Sequence, residues 1–194
     1  DVIQNQANLI FDYKKRKFNF ILKNKKQKLS AYRKLSKIFI NLKINEQIKL
    51  LEKITNTKKR KNYSEICLNS EEVKTLGKHP LITIGSHSHN HLNLKILNDN
   101  EIQYEVDQSL KILENLLNYK VKHFCYPYGD KKHASTREYN IIKEFQFCSA
   151  VTSRVYPIKD YNLFALPRIY VGENTCNKTL INHLSGFYNL AKKF

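Results

Sequence analysis

Three histidines fall within five positions in "GSHSHNH", residues 85–91, directly after an apolar run. Imidazole is a common ligand for divalent transition metals, and two of them converge on one ion when the backbone brings both to the same side. His87 and His91 are spaced i and i+4, which converges if the chain turns into a helix. His87 and His89, at i and i+2, converge instead if the strand continues. Spacing alone does not choose between the two pairs, and a solvated His-rich turn is the plain alternative. A two-histidine site is also incomplete, because a catalytic ion takes a third protein ligand and keeps one position for water.

The elements that must carry these side chains can be read from periodicity. "LNSEEVKTLGKH" reads as a short helix with Ser70 as cap and Gly77 as terminator. "LITIGS" has the length and β-branched content of a buried strand, so the histidines sit where a strand ends. "NDNEIQYEVDQSLKILENLLNY" follows as a helix with Ile102, Val106, Leu110, Leu113 and Leu117 on one face. "VKHFCYPYGD" is a second strand running into a turn, "REYNIIKEFQF" a helix, "CSAVTS" a third strand and "NLFALPRIYV" a fourth. Alternating strands and helices predict a parallel α/β architecture, in which functional groups gather at the carboxyl ends of the strands. Both the His cluster and the Tyr-Pro-Tyr-Gly turn lie there.

From about residue 63 to residue 172 the order and spacing of these segments resemble the polysaccharide deacetylases with a NodB homology domain, carbohydrate esterase family 4. "ITIGSHSHNHLNL" is similar to that family's second motif, which implies His87 and His91 as metal ligands, Ser88 as a brace of the loop, and His89 at a variable position. "HFCYPYGD" resembles the third motif. The resemblance implies that the backbone N–H of Tyr128 helps hold a tetrahedral oxyanion. Tyr126 and Pro127 are the expected substrate contacts, although aromatic core residues and a turn-forming proline would look the same. The fold implied is part of a distorted (β/α) barrel of the NodB type. The reaction implied is metal-dependent hydrolysis of an N-acetyl group on a polysaccharide or glycolipid sugar, with a divalent metal, expected to be zinc.

The sequence departs from that pattern in three places. The family's Thr-Phe-Asp-Asp-Gly motif is absent, and the nearest string, "LIFDY", puts Tyr13 after Asp12 where a second Asp belongs. Cys125 stands where an Arg often orients the base; Arg168 in "LPRIYV" is the candidate to supply a guanidinium instead, with a surface charge as its alternative. The late general-acid His has no clear match, His183 being the nearest, and His123 and His133 are read as surface residues.

Charge divides the chain. Of 34 Lys and Arg against 17 Asp and Glu, net +17, residues 1–62 hold 18 basic and four acidic side chains, a net +14. Amphipathic periodicity over residues 31–54 predicts one or two helices with lysine-rich outer faces, and residues 56–62 a solvated linker. The expected division is therefore a basic helical insertion, 1–62, and the carboxyl-terminal part of a deacetylase domain, 63–194. With no Met in the chain, Asp1 is not an encoded start. The chain is expected to begin inside a longer one, with the Asp-Asp motif upstream, and to be inactive alone. The front makes an anionic surface a further expected partner through residues 14–61. No RNA motif or zinc-finger spacing calls for a specific nucleic acid. A basic binding module and a non-catalytic carbohydrate-binding remnant are the competing readings. Four singly spaced Cys carry no thiolate-site or redox spacing. No signal peptide or membrane span is visible, so cytoplasm and cell envelope are both open.

Overall fold

A computed structural model of the chain describes residues 2–56, 62, 64–155 and 162–185. Two compact units divide it, residues 1–69 and 70–194, with the division seven residues beyond the expected one. The lysine-rich run at 57–61 lies outside the described residues.

The first unit opens with a helical turn α1 (Val2–Asn5) and a hairpin that helical periodicity did not reveal, β1 (Asn8–Tyr13) and β2 (Arg16–Ile21). The strands pair antiparallel from Asn8↔Ile21 to Tyr13↔Arg16, leaving a two-residue turn. Both turn residues, Lys14 and Lys15, take positive φ, 46° and 60°. A turn of this kind normally announces itself with Asn-Gly or Gly-Gly, and two lysines conceal it. Phe11, Phe18 and Phe20 stack across the hairpin with ring centres 5.1 to 6.2 Å apart. Two helices follow, α2 (Lys25–Phe39) and α3 (Ile44–Thr55), the first capped by Asn24, whose side chain accepts from the Gln27 N–H. Leu9, Phe11, Leu22, Ala31, Leu35, Leu42, Leu50 and Ile54 form their shared core. The front is therefore a β-hairpin with helices rather than helix alone.

In the second unit, α4 (Ser70–Gly77) precedes a 3₁₀ turn at Leu94–Ile96 and the long helix α5 (Asp99–Leu117). Asn98 and Glu101 cap α5 reciprocally, the pattern that couples the side chain of the cap to the third helical residue and back. Two short strands, β3 (His123–Cys125) and β4 (Ser149–Val151), pair in parallel, with α6 (Thr136–Lys143) between them; α7 (Asn177–Leu184) ends the described chain. Single parallel bridges, Ser86 to Phe124 and Leu166 to Val151, extend the sheet by one residue on either side. The parallel α/β expectation holds, with four segments running in order of sequence.

The outer two segments are shorter than "LITIGS" and "NLFALPRIYV" predict. Only Ser86 and Leu166 enter the ladder, and Leu81 is 89% exposed and Tyr170 82% exposed. A strand needs a neighbour for its N–H and C=O groups. The hydrogen bonds of the first segment to β3 run through Ser86 alone. The core of this unit gathers Ile102 and Val106 of α5, Phe124 of β3, Ile142 of α6 and Ala150 of β4, all under 2% exposed. All four cysteines are unpaired. No helix among the described residues is long and apolar enough to cross a membrane.

Candidate metal centre

Ser86 ends its strand segment with its backbone bonded on both sides to β3, the Ser86 N–H to the His123 carbonyl and the Cys125 N–H to the Ser86 carbonyl, 2.8 Å each. The chain then reverses over residues 87–91. It does so through left-handed backbone at Ser88, φ 64°, and at His91, φ 53°. Such conformations cost an L-residue free energy and persist where the surroundings impose them.

Here the imposing group is Glu105 of α5, only 3% exposed. One carboxylate oxygen accepts from the Asn90 backbone N–H and the other from its side-chain amide, 2.7 Å each. Ser109, one helical turn on, shares a 2.8 Å hydrogen bond with the buried Ser86 hydroxyl. Residues at i and i+4 lie on one helix face, so one strip of α5 supports the whole histidine turn.

That turn brings the rings of His87 and His91 together, centres 4.6 Å apart and inclined at 78°. Two imidazoles each bound through one nitrogen to a tetrahedral zinc, with Zn–N about 2.0 Å, have centres about 5 Å apart, so the spacing suits one ion. His87 Nδ1 lies 2.7 Å from the Cys125 carbonyl oxygen. A carbonyl only accepts, so Nδ1 carries the proton and Nε2 keeps its lone pair for a ligand. This backbone lock on the far nitrogen is how metal-binding histidines are commonly oriented. The Cys125 contact also holds the His87 ring above the usual imidazole range, while burial and the neighbouring His87 ring lower His91. The two residues therefore fit a divalent metal as a pair. Among the described residues no third His, Cys, Asp or Glu joins them. Ser88 supplies one of the two left-handed steps of the turn, and its hydroxyl, expected to brace the loop, is buried without a hydrogen bond among the described residues.

The Tyr-Pro-Tyr-Gly turn adjoins this pair. The Tyr128 ring meets His91 edge-on with centres 4.9 Å apart, and its backbone is left-handed, φ 62°, as is Gly129, φ 61°. Ser153 donates to the Tyr128 carbonyl at 2.6 Å, fixing the peptide that follows. A side chain at Gly129 would place Cβ 2.7 Å from the Ser153 nitrogen, so the turn needs glycine for both its conformation and its closeness. The Tyr128 ring also meets His133, centres 5.3 Å apart, whose Nδ1 lies 2.7 Å from an Asp130 carboxylate oxygen. His133 is thus half-buried against the turn rather than a free surface residue.

Arg168 lies beside Cys125. Its Nε donates to the Thr152 carbonyl at 2.7 Å. Burial pushes the Cys125 thiol up, but the His87 ring and the Arg168 guanidinium outweigh it and hold the thiol below its usual range.

Two expected substrate contacts do not have the required exposure. Tyr126 is 1% exposed, with its hydroxyl donating to the Phe164 carbonyl at 2.8 Å, and Pro127 is equally buried. Burial pushes the Tyr126 phenol far up, as befits a core residue. Neither has a face to offer a sugar; Tyr126 instead packs on Phe124 and Tyr139 with centres 5.2 Å apart. Asp12 is exposed on β1, opposite Lys17 in the hairpin. His183 is half-buried on α7. His123 is exposed and bonds Ser149 Oγ at 2.9 Å, lining with His87 and Cys125 an open cleft of about 350 Å3. Sequence reasoning passed over Glu105, Ser109 and Ser153, the three side chains that hold the two turns.

Polysaccharide deacetylases match residues 54–147 as a family. No curated protein matches the chain. The Streptococcus pyogenes deacetylase PplD, solved in complex with acetate, superposes with a TM-score of 0.53 at 19% identity, over 60% of this chain and 50% of that one. A polysaccharide deacetylase from Bacillus cereus gives 0.53 at 17% identity, over 61% of this chain and 37% of its own. The chain thus spans half or less of each, and at these identities the likeness is one of fold. Family match and fold agree: residues 54–147, just under half of the chain, match the polysaccharide deacetylase family, and the second unit has the fold of NodB-type deacetylases, as part of a distorted α/β barrel.

Proposed function

We propose that this chain contributes the histidine half of a metal-dependent deacetylase centre that removes N-acetyl groups from a polysaccharide or glycolipid sugar. One observation supports it most: two imidazoles 4.6 Å apart, one with its far nitrogen tied to a backbone carbonyl. A divalent metal, zinc in this reading, would supply Lewis-acid activation of water and of the acetyl carbonyl. His87 and His91 would hold it and Glu105 would keep the turn in register. Tyr128 would set its own peptide toward the acyl oxygen, the left-handed backbone serving to aim it. The Arg168 cation, next to Cys125 and felt by His87, would favour an anionic partner at that edge of the centre.

This sequence contains no Asp-Asp pair, and among the described residues no third ligand or carboxylate base joins the two histidines. The chain by itself is accordingly expected to bind zinc weakly and to release no acetate from N-acetylated chitooligosaccharides. Zinc affinity of the intact chain should fall at least tenfold in His87→Ala and in His91→Ala and stay level in His89→Ala. Equal zinc binding by all four proteins would end the metal-centre reading. Acetate release by the 194-residue chain would overturn the claim that its own groups are insufficient.

A further inference from the structure

Helix α2 carries six basic residues and no acidic one. Four of the six, Lys26, Arg33, Lys34 and Lys37, line one shallow exposed groove with Leu29 and Ser30. At 100° per residue these positions fall within one side of the helix, opposite the buried Ala31 and Leu35, and the stripe runs about 16 Å along the axis. Among the described residues no carboxylate pairs with any of the four cations, whereas the one acid nearby in sequence, Glu46, is matched with Lys14 at 3.3 Å.

The placement also opposes local stability. Lys25, Lys26 and Lys28 crowd the first turn, where the positive end of the helix disfavours cations, and no acid offsets them. Of the three, Lys28 donates to the Gln4 carbonyl, and local rules broken in this way are expected at functional surfaces.

The chemistry of the stripe selects among anionic partners. The groove lining holds no aromatic ring on which bases could stack, the exposed Tyr32 of the same helix lying outside it. Its only apolar member is Leu29, while Ala31 and Leu35 of the same helix are committed to the core, so the groove itself offers a single side chain to insert among lipid chains. We propose that the Lys26–Lys37 face of α2 docks an acidic polysaccharide, a glycan bearing carboxylate, sulfate or phosphate groups. This rests on the reading of the chain as acting on sugars, and deepens it by naming the class of polymer. The row of cations would hold the strand by its charges, independently of the acetyl group.

The test uses the whole chain and fluorescein-labelled polygalacturonate. A quadruple variant, Lys26→Gln, Arg33→Gln, Lys34→Gln and Lys37→Gln, should bind about ten- to hundredfold more weakly at low ionic strength, four exposed charge contacts being removed. A control with equal charge loss elsewhere, Lys17→Gln, Lys23→Gln, Lys49→Gln and Lys53→Gln, should lose less than threefold. Equal loss in both would reduce the effect to net charge and overturn the surface. Tighter binding to mixed-sequence single-stranded RNA, or to phosphatidylglycerol vesicles, at the same ionic strength would overturn the glycan. His87→Ala should bind polygalacturonate as the parent does. Zinc retained by that variant would sink the deacetylase reading and leave the docking result standing; lost selectivity with zinc binding intact would sink the docking surface alone.

Discussion

Glu105 is the side chain on which the geometry of the histidine turn depends most directly. Its two oxygens each accept a 2.7 Å hydrogen bond from Asn90, and it does so buried, where a lost partner is not replaced by water. In Glu105→Gln the shape is kept but one oxygen becomes an amide facing a donor, so one charge-assisted bond is lost, about 1.5–3 kcal/mol. That loss is felt by a turn whose His91 sits at φ 53°, a conformation disfavoured by roughly 1–2 kcal/mol for an L-residue. Once the clamp is released, the turn relaxes toward backbone conformers that do not face His91 toward His87. A bias of that size corresponds to about a five- to thirtyfold loss of zinc affinity. Urea unfolding measures the first quantity and isothermal titration with zinc the second. Asn90→Ala removes only the amide arm, and a double-mutant cycle with Glu105→Gln should show a coupling of roughly 1–3 kcal/mol. Additive losses, or a Glu105→Gln protein with zinc affinity within twofold of the parent, would refute the assignment of the carboxylate as the clamp.

Three further outcomes are expected. Gly129→Ala forces a Cβ to within 2.7 Å of the Ser153 nitrogen at φ 61°, and should destabilise the second unit by about 1–3 kcal/mol; a neutral melting curve would show that the turn has room to shift. Tyr126→Phe removes the buried bond to the Phe164 carbonyl and should lower stability by about 1 kcal/mol while leaving binding of N-acetylated chitooligosaccharides unchanged, and a tenfold loss of that binding would restore the ring as a sugar contact. Since His87 and Arg168 hold the Cys125 thiol below its ordinary range against burial, more of it is thiolate at pH 7.5; Arg168→Gln should push the thiol back up and slow iodoacetamide alkylation of Cys125 a few-fold, measured by peptide mass spectrometry, and an unchanged rate would remove Arg168 from the site.

The order of the second unit was legible in its periodicity, because each amphipathic or β-branched segment must bury its own apolar face. α5 is the clearest case: Ile102 and Val106 head its stripe and Asn98 caps it by chemistry visible in the string. The same stripe held the signal for the clamp. Glu105 and Ser109 occupy positions on the face that Ile102 and Val106 define, and a carboxylate on a buried face calls for a partner. The hairpin of residues 8–21 left no comparable signal, since its turn is made by two lysines in a conformation usually supplied by glycine or asparagine.

Residue types alone narrowed the chemistry to imidazoles beside a strand end and left two pairings open. The fold brings the rings of His87 and His91 together, because left-handed backbone at Ser88 and His91 reverses the chain and carries the second ring back to the first, an outcome that spacing cannot encode. It also moved Tyr126 and Pro127 from a supposed surface into the core. Alternation along a strand would put Tyr126 and Tyr128, two residues apart, on one face; the left-handed step at Tyr128 breaks that pattern and sends its ring to His91, while Tyr126 packs on Phe124 and Tyr139. What the string determined by itself was composition, charge and the order of elements; which groups meet depended on long-range contacts, above all the Glu105 and Cys125 bonds that join residues 15 and 38 apart in sequence.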